Sequence, residues 1–166
     1  MLDRYTCGVL NNGSTPPAAL MERLSFLLKR AFARIDVATE RELAELSVSG
    51  REFAVLTLVD AEGAASQQRL AGRIGVDRTT MVALIDSLEE KRLVNRRRDP
   101  SDRRAYIVEA TSAGRKILQR ALKAVQLAEQ QALASLTATQ AATFKQILQR
   151  LAQAPPTPDA KRPDHG

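Results

Sequence analysis

Tryptophan is absent from this chain, and tyrosine and phenylalanine supply only two and four of its 166 residues. That scarcity disfavours single-strand binding on aromatic platforms, where successive bases stack on exposed rings. One cysteine, Cys7, excludes an internal disulfide framework. The one histidine, His165, stands in a proline-rich tail. There is no metal-spaced Cys/His set, no glycine-rich phosphate loop and no acidic pair with a plausible cleft, so an enzyme has no catalytic constellation here and neither metal nor cofactor is expected. No run of eighteen apolar residues occurs, so no membrane span is expected. The opening MLDRYTCGVLNNG lacks the basic and apolar regions of a secretory signal, which makes the cytoplasm the expected compartment.

Apolar residues make up 44% of the chain, ample for a core, and the length suits one compact domain or one domain with extended arms. Charge is focused. Residues 91–104 carry Lys91, Arg92, Arg96, Arg97, Arg98, Arg103 and Arg104 against Asp99 and Asp102, a net +5 of the chain's +6. Such a patch can approach phosphates and release condensed counterions. A solvated turn that keeps the protein soluble is the plainer alternative.

Hydrophobic spacing gives the organisation. Residues 1–17 read as a loose arm ending in Pro16-Pro17. Leu20, Leu24, Leu27, Leu28, Ala31, Ile35 and Ala38 step by three or four, which predicts one long amphipathic helix from Ala18 to about Leu46. Ser49 with Glu52 forms a capping box for a shorter helix that Gly63 ends. Ser66 caps Gln67–Ile74, Gly75-Val76 make a tight turn, and Asp77 caps a helix from Arg78 to about Lys91 with Met81, Leu84, Ile85 and Leu88 inward. Leu93-Val94, the arginines, the turn Asp99-Pro100-Ser101 and the run Tyr106–Ala110 predict a two-stranded hairpin with a cationic tip. Its alternation sets Tyr106, Val108 and Ala110 against Ile107 and Glu109. Thr111 caps a second long helix to about Leu136, and Thr137 with Gln140 caps a last one carrying Phe144, Ile147, Leu148 and Leu151. Four prolines from Gln153 onward predict a disordered tail.

A helix–turn–helix followed by a basic hairpin is a winged helix. The fold class expected is therefore mainly α with a small β-hairpin wing. The parts expected are an arm at 1–17, a dimerisation helix at 18–47, a DNA-binding domain at 48–111, C-terminal dimerisation helices at 112–152 and a tail at 153–166. The second helix of such a pair enters the major groove of double-stranded DNA, N-terminal residues first. Its outward face is Arg78, Thr79, Val82, Ala83 and Asp86. Arg78 can contact guanine or a phosphate, Thr79 a base edge or a phosphate, and Val82 and Ala83 a thymine methyl. Asp86, more than two turns in, would repel phosphate or orient Arg78. Ser66, Gln67 and Gln68 open the first helix, where free N–H groups suit a phosphate. Arg96, Arg97, Arg98, Arg103 and Arg104 supply the wing, with one arginine of the tip in a minor groove and Asp102 holding the turn.

These residues resemble the MarR family of multiple-antibiotic-resistance-type transcriptional regulators over roughly residues 20–152. The sharpest part is the wing motif, acidic-x-Arg followed by Val-x-apolar-Thr-x-x-Gly, matched by Asp102, Arg104, Val108, Thr111 and Gly114. The segment LAGRIGVDRTTMVALIDSLEEKRLVNRRRDPSDRR is similar throughout. The resemblance implies an obligate homodimer of six helices with the wing between the fourth and fifth, built through Ala18–Leu46 and Ser112–Leu151. It implies a repressor on a pseudo-palindromic operator, released in many members by a small phenolic or anionic effector. The effector pocket it implies would draw on Phe26, Arg30, Phe32, Arg34 and Phe53; a phenylalanine at helical spacing is more often core, and Arg30 and Arg34, one turn apart, could meet a carboxylate or equally be solvated charges. Some members sense peroxide through an N-terminal thiol. For Cys7, Tyr5 is close but no second cysteine exists in the chain, so a disulfide could form only between chains. Ala83 stands where many members carry a polar or basic reader, and Ala110 where leucine is usual. A winged helix that binds protein remains the rival class, although it would not need +5 in fourteen residues.

Overall fold

The computed structural model describes residues 16–99 and 106–155. Cys7, Asp102, Arg103, Arg104 and His165 lie outside the described residues, as do nearly all of the expected N-terminal arm and most of the expected tail. The chain forms two compact units, Met1–Ala132 and Leu133–Gly166.

In the first unit the expected long helix is divided. A single turn, α1 (Ala18–Met21), is followed by α2 (Leu24–Ala44), with Arg23 extended between them. The apolar spacing runs through the break, but α1 buries no residue, so no packing holds the two in one line. α2 lies along the long helix α6 (Ser112–Ala132), and both turn small residues inward, Ala33 on one and Ala121 and Ala128 on the other.

The Ser49–Glu52 box starts α3 (Gly50–Glu62): the Ser49 amide donates to Glu52 at 2.8 Å and the Glu52 amide donates to Ser49 Oγ at 3.3 Å. Helices α4 (Gln67–Ile74) and α5 (Arg78–Glu90) follow, with Gly75 between them at φ 78°, a left-handed turn that a Cβ would strain. Leu56, Val59, Leu70, Met81, Ile85 and Leu88 interlock with Val94, Val108 and Leu118 in one buried cluster.

The wing is a three-stranded sheet. Strands β2 (Val94–Arg98) and β3 (Tyr106–Ala110) pair as expected, Val94 opposite Ala110 and Arg98 opposite Tyr106. A third strand, β1 (Ala65–Ser66), pairs with the other edge of β3. Two residues carry no periodicity, so sequence alone gives β1 no signal. Because β3 is central, its alternation is imperfect: Ile107 and Val108 are both buried and Tyr106 is exposed. Thr111 then joins sheet to helix. Its Oγ1 accepts the Gly114 amide at 2.9 Å and donates toward the Arg92 carbonyl at 2.8 Å.

The second unit holds α7 (Ala138–Gln153), started by the Thr137–Gln140 capping box. It buries no residue, and Ile147 and Leu151 are open.

Among the described residues, two that are not glycine adopt the left-handed conformation at helix ends, Ser47 after α2 and Arg92 after α5. At Ser47 the amides of Ser47 and Val48 return to the carbonyls of Ala44 and Leu43, a Schellman cap that favours glycine. Ser47→Gly is expected to raise stability by about 0.5–1 kcal/mol, the left-handed strain relieved less glycine's extra unfolded entropy. A urea midpoint that stays put or falls would contradict this.

Candidate nucleic-acid interface

The start of α5 is fixed by Asp77. One carboxylate oxygen accepts the Thr80 amide at 2.9 Å and the other accepts the Thr80 hydroxyl at 2.6 Å. These bonds hold the Asp77 carboxyl below the ordinary aspartate range. The following face is presented outward: Arg78, Thr79 and Ala83 are exposed and Val82 is half-buried. At the start of α4, Gln68 is exposed, Ser66 and Gln67 are half-buried, and Ser66 Oγ accepts the Arg69 amide at 3.3 Å. Arg69 and Arg73 further along α4 both pair with Glu62, at 2.7 and 3.2 Å.

A cleft of about 590 Å³ separates the start of α3 from α5, with Thr79 and Ala83 on one wall and Ser49, Arg51 and Lys91 also in its lining. Sequence reading singled out neither Arg51 nor Lys91 as facing this side of α5. Beneath the cleft sits Glu52, a charged residue buried to 4% exposure. Its Oε1 accepts from Ser87 Oγ and Lys91 Nζ, each at 2.6 Å, while Oε2 remains with the Ser49 cap. Burial pushes its carboxyl up, but the bonds from Lys91, Ser87 and Ser49 and the Lys91 charge outweigh burial, so it lies below the ordinary range. One carboxylate thus caps α3 and ties α3 to the far half of α5.

The three consecutive arginines of β2 have three different environments. Arg98 stacks over the Tyr106 ring across the hairpin, 4.3 Å from its centroid. Arg97 is exposed and pairs with Glu109 on β3. Arg96 turns toward α5 and is only 20% exposed: Nη1 meets Glu89 at 2.8 Å, Nη2 meets Asp86, and the Arg96 amide donates to Glu89 Oε1 at 3.1 Å. Asp86 is thus engaged by Arg96, a partner that the sequence reading, which had Asp86 repel phosphate or orient Arg78, did not name.

Of the five expected effector residues, Phe26, Arg30, Phe32 and Arg34 lie on α2 and Phe53 lies on α3. Arg30 lies over the Phe26 ring at 5.8 Å from its centroid. Phe32 is 59% exposed, Arg34 is exposed, and Phe53 packs against the domain core.

Residues 48–106 match the model of the MarR family. The HTH-type transcriptional repressor Mb2911 of Mycobacterium bovis is 30% identical over 77% of this chain and 92% of its own. The chain belongs to the MarR family. MarR winged-helix structures share its fold, mostly helical with a small three-stranded antiparallel sheet. The repressor CouR bound to a 23-mer DNA duplex superposes with a TM-score of 0.77 and 32% identity, over 84% of this chain and 99% of CouR. CouR of Rhodococcus jostii RHA1 bound to p-coumaroyl-CoA gives a TM-score of 0.69 at 30% identity, over 86% of this chain and all of that one. This MarR protein is thus a DNA-binding regulator of transcription by kinship. No helix among its described residues is long and apolar enough to cross a membrane.

Proposed function

We propose that this MarR protein is a cytoplasmic repressor that binds a pseudo-palindromic duplex as a homodimer, with α5 in the major groove and the wing against the flanking backbone or minor groove. The carrying observation is α5. It is capped at its start and anchored by Met81, Ile85 and Leu88, and it leaves Arg78, Thr79 and Ala83 open beside a hairpin bearing exposed Arg97 and Arg98. Ser66, Gln67, Gln68, Arg103 and Arg104 are assigned to the same contact, the first three at phosphates. The DNA-bound CouR neighbour supports this reading.

Dimerisation is supported by unpartnered apolar side chains on separate helices: Leu24, Leu27, Phe32 and Val37 on α2, Ile147 and Leu151 on α7. A second copy of the chain offers a cover for these side chains on each helix. The effector is read as a small aromatic or anionic molecule, with Arg30 on Phe26 as its first contact; the aromatic, anionic p-coumaroyl-CoA bound to CouR supports that chemistry.

Selection of duplexes from a random-core library by the full chain, followed by footprinting, tests the proposal. Two-fold symmetric protection is expected, with half-site centres about 10 base pairs or a multiple apart. Arg78→Ala should weaken the selected duplex by about 1–3 kcal/mol. An asymmetric footprint over a single half-site contradicts the dimer, and an unchanged R78A affinity contradicts the reader.

A further inference from the structure

Arg96 differs from its neighbours in what it touches. Its guanidinium meets Asp86 and Glu89, Nη2 lies 3.4 Å from the Val82 carbonyl, and its amide donates to Glu89. All three partners are on α5. Arg97 and Arg98, by contrast, engage β3 and stay exposed. Beside the apolar packing of Val94 with Ile85 and Leu88, Arg96 ties the wing strand β2 to the recognition helix with several polar bonds from one side chain and its own amide. A guanidinium suits this task because its planar fork engages two carboxylates at once in a fixed plane.

We propose that Arg96 is a positioning residue for DNA reading: with Asp86 and Glu89 it sets the wing relative to α5, so that hairpin and helix meet one duplex in register. The inference rests on the DNA-binding reading above. It assigns Arg96 an action through α5 rather than a contact of its own with phosphate. It also gives Asp86 and Glu89 a purpose on a helix that approaches a polyanion, where two acids would otherwise only repel.

The two possible roles of Arg96 predict opposite signs for one variant. Asp86→Asn with Glu89→Gln leaves Arg96 in place, exchanges its two ion pairs for weaker contacts to neutral amides and removes two negative charges from α5. Were Arg96 a phosphate ligand, this variant would bind the selected duplex more tightly, with a steeper dependence on salt. A positioning role predicts the reverse for the selected duplex: about a tenfold loss of preference over a shuffled duplex, comparable to one mismatched base pair. Shuffled-duplex affinity rises or holds. The footprint loses the protection due to the wing and keeps that due to α5. Arg96→Met should lose the same preference and the same part of the footprint.

Arg96→Lys keeps the charge without the fork, and an intermediate loss is expected. It also serves if R96M fails to fold, which circular dichroism reports. Full preference in D86N/E89Q, or an R96M whose only change is a salt slope smaller by about one, overturns the proposal. Failure of the DNA-binding reading is separately visible, as the absence of any enriched duplex for the unmodified chain.

Discussion

Replacing Gly114 by alanine is expected to destabilise the first unit by about 3 kcal/mol, at the upper end of overpacking costs. The expectation runs against local propensity. Gly114 sits in the first turn of a 21-residue helix, where alanine ordinarily gains about 1 kcal/mol over glycine. A Cβ at this position, however, would collide with the Leu93 backbone carbonyl, and it would also meet Leu56 Cδ1 at 3.3 Å. That carbonyl cannot swing away cheaply, because it accepts the Thr111 amide at 3.0 Å. To make room, α6 would have to lift off the base of the wing. The Thr111 Oγ1 bonds and the packing of Leu118 and Leu56 would go with it. Urea unfolding of G114A against the unmodified chain, at one protein concentration, measures the effect. A gain in stability would show that close packing at this junction is not limiting.

Glu52→Ala is the second large effect, a loss of about 2–4 kcal/mol. The truncation leaves the Ser87 hydroxyl and the Ser49 amide without their acceptor. It also strands the Lys91 ammonium, which is about one third exposed and regains part of its hydration. Glu52→Gln keeps the shape and an acceptor for the cap, so its cost should be smaller. The pH dependence separates the two contributions. The Glu52 pKa is lowered in the folded protein, so the folded state holds fewer protons than the unfolded chain near the ordinary glutamate pKa. Its stabilisation is therefore fully present above about pH 4.3 and is lost as pH falls through the lower folded value. E52Q should lack that part of the acid dependence. An E52Q acid-unfolding profile parallel to that of the unmodified chain would contradict the assignment.

Much of the fold was legible because its signals are local. Ser49 with Glu52, Ser66, Asp77, Thr111 and Thr137 with Gln140 each announce a helix start within four residues, and each start is where the chain places it. The outward face of α5 follows from subtracting Met81, Leu84, Ile85 and Leu88. What was not legible depends on partners far along the chain. Glu52 reads locally as a cap residue, and only folding brings Ser87 and Lys91 to its second oxygen. Arg96, Arg97 and Arg98 look alike in sequence. Alternation along β2 separates Arg97 from Arg96, but nothing local shows that Asp86 and Glu89 will stand beside Arg96. The division between α1 and α2 is of the same kind, since an apolar stripe runs through it unbroken.

The most direct test of the central claim is fluorescence anisotropy with the selected duplex and a shuffled duplex of equal length across a salt series. The account predicts tight, salt-dependent binding of the selected duplex and weaker, still salt-dependent binding of the shuffled one, because phosphate contacts position the protein and base contacts discriminate. Equal affinity for both at every salt concentration, or no binding to either, would contradict it.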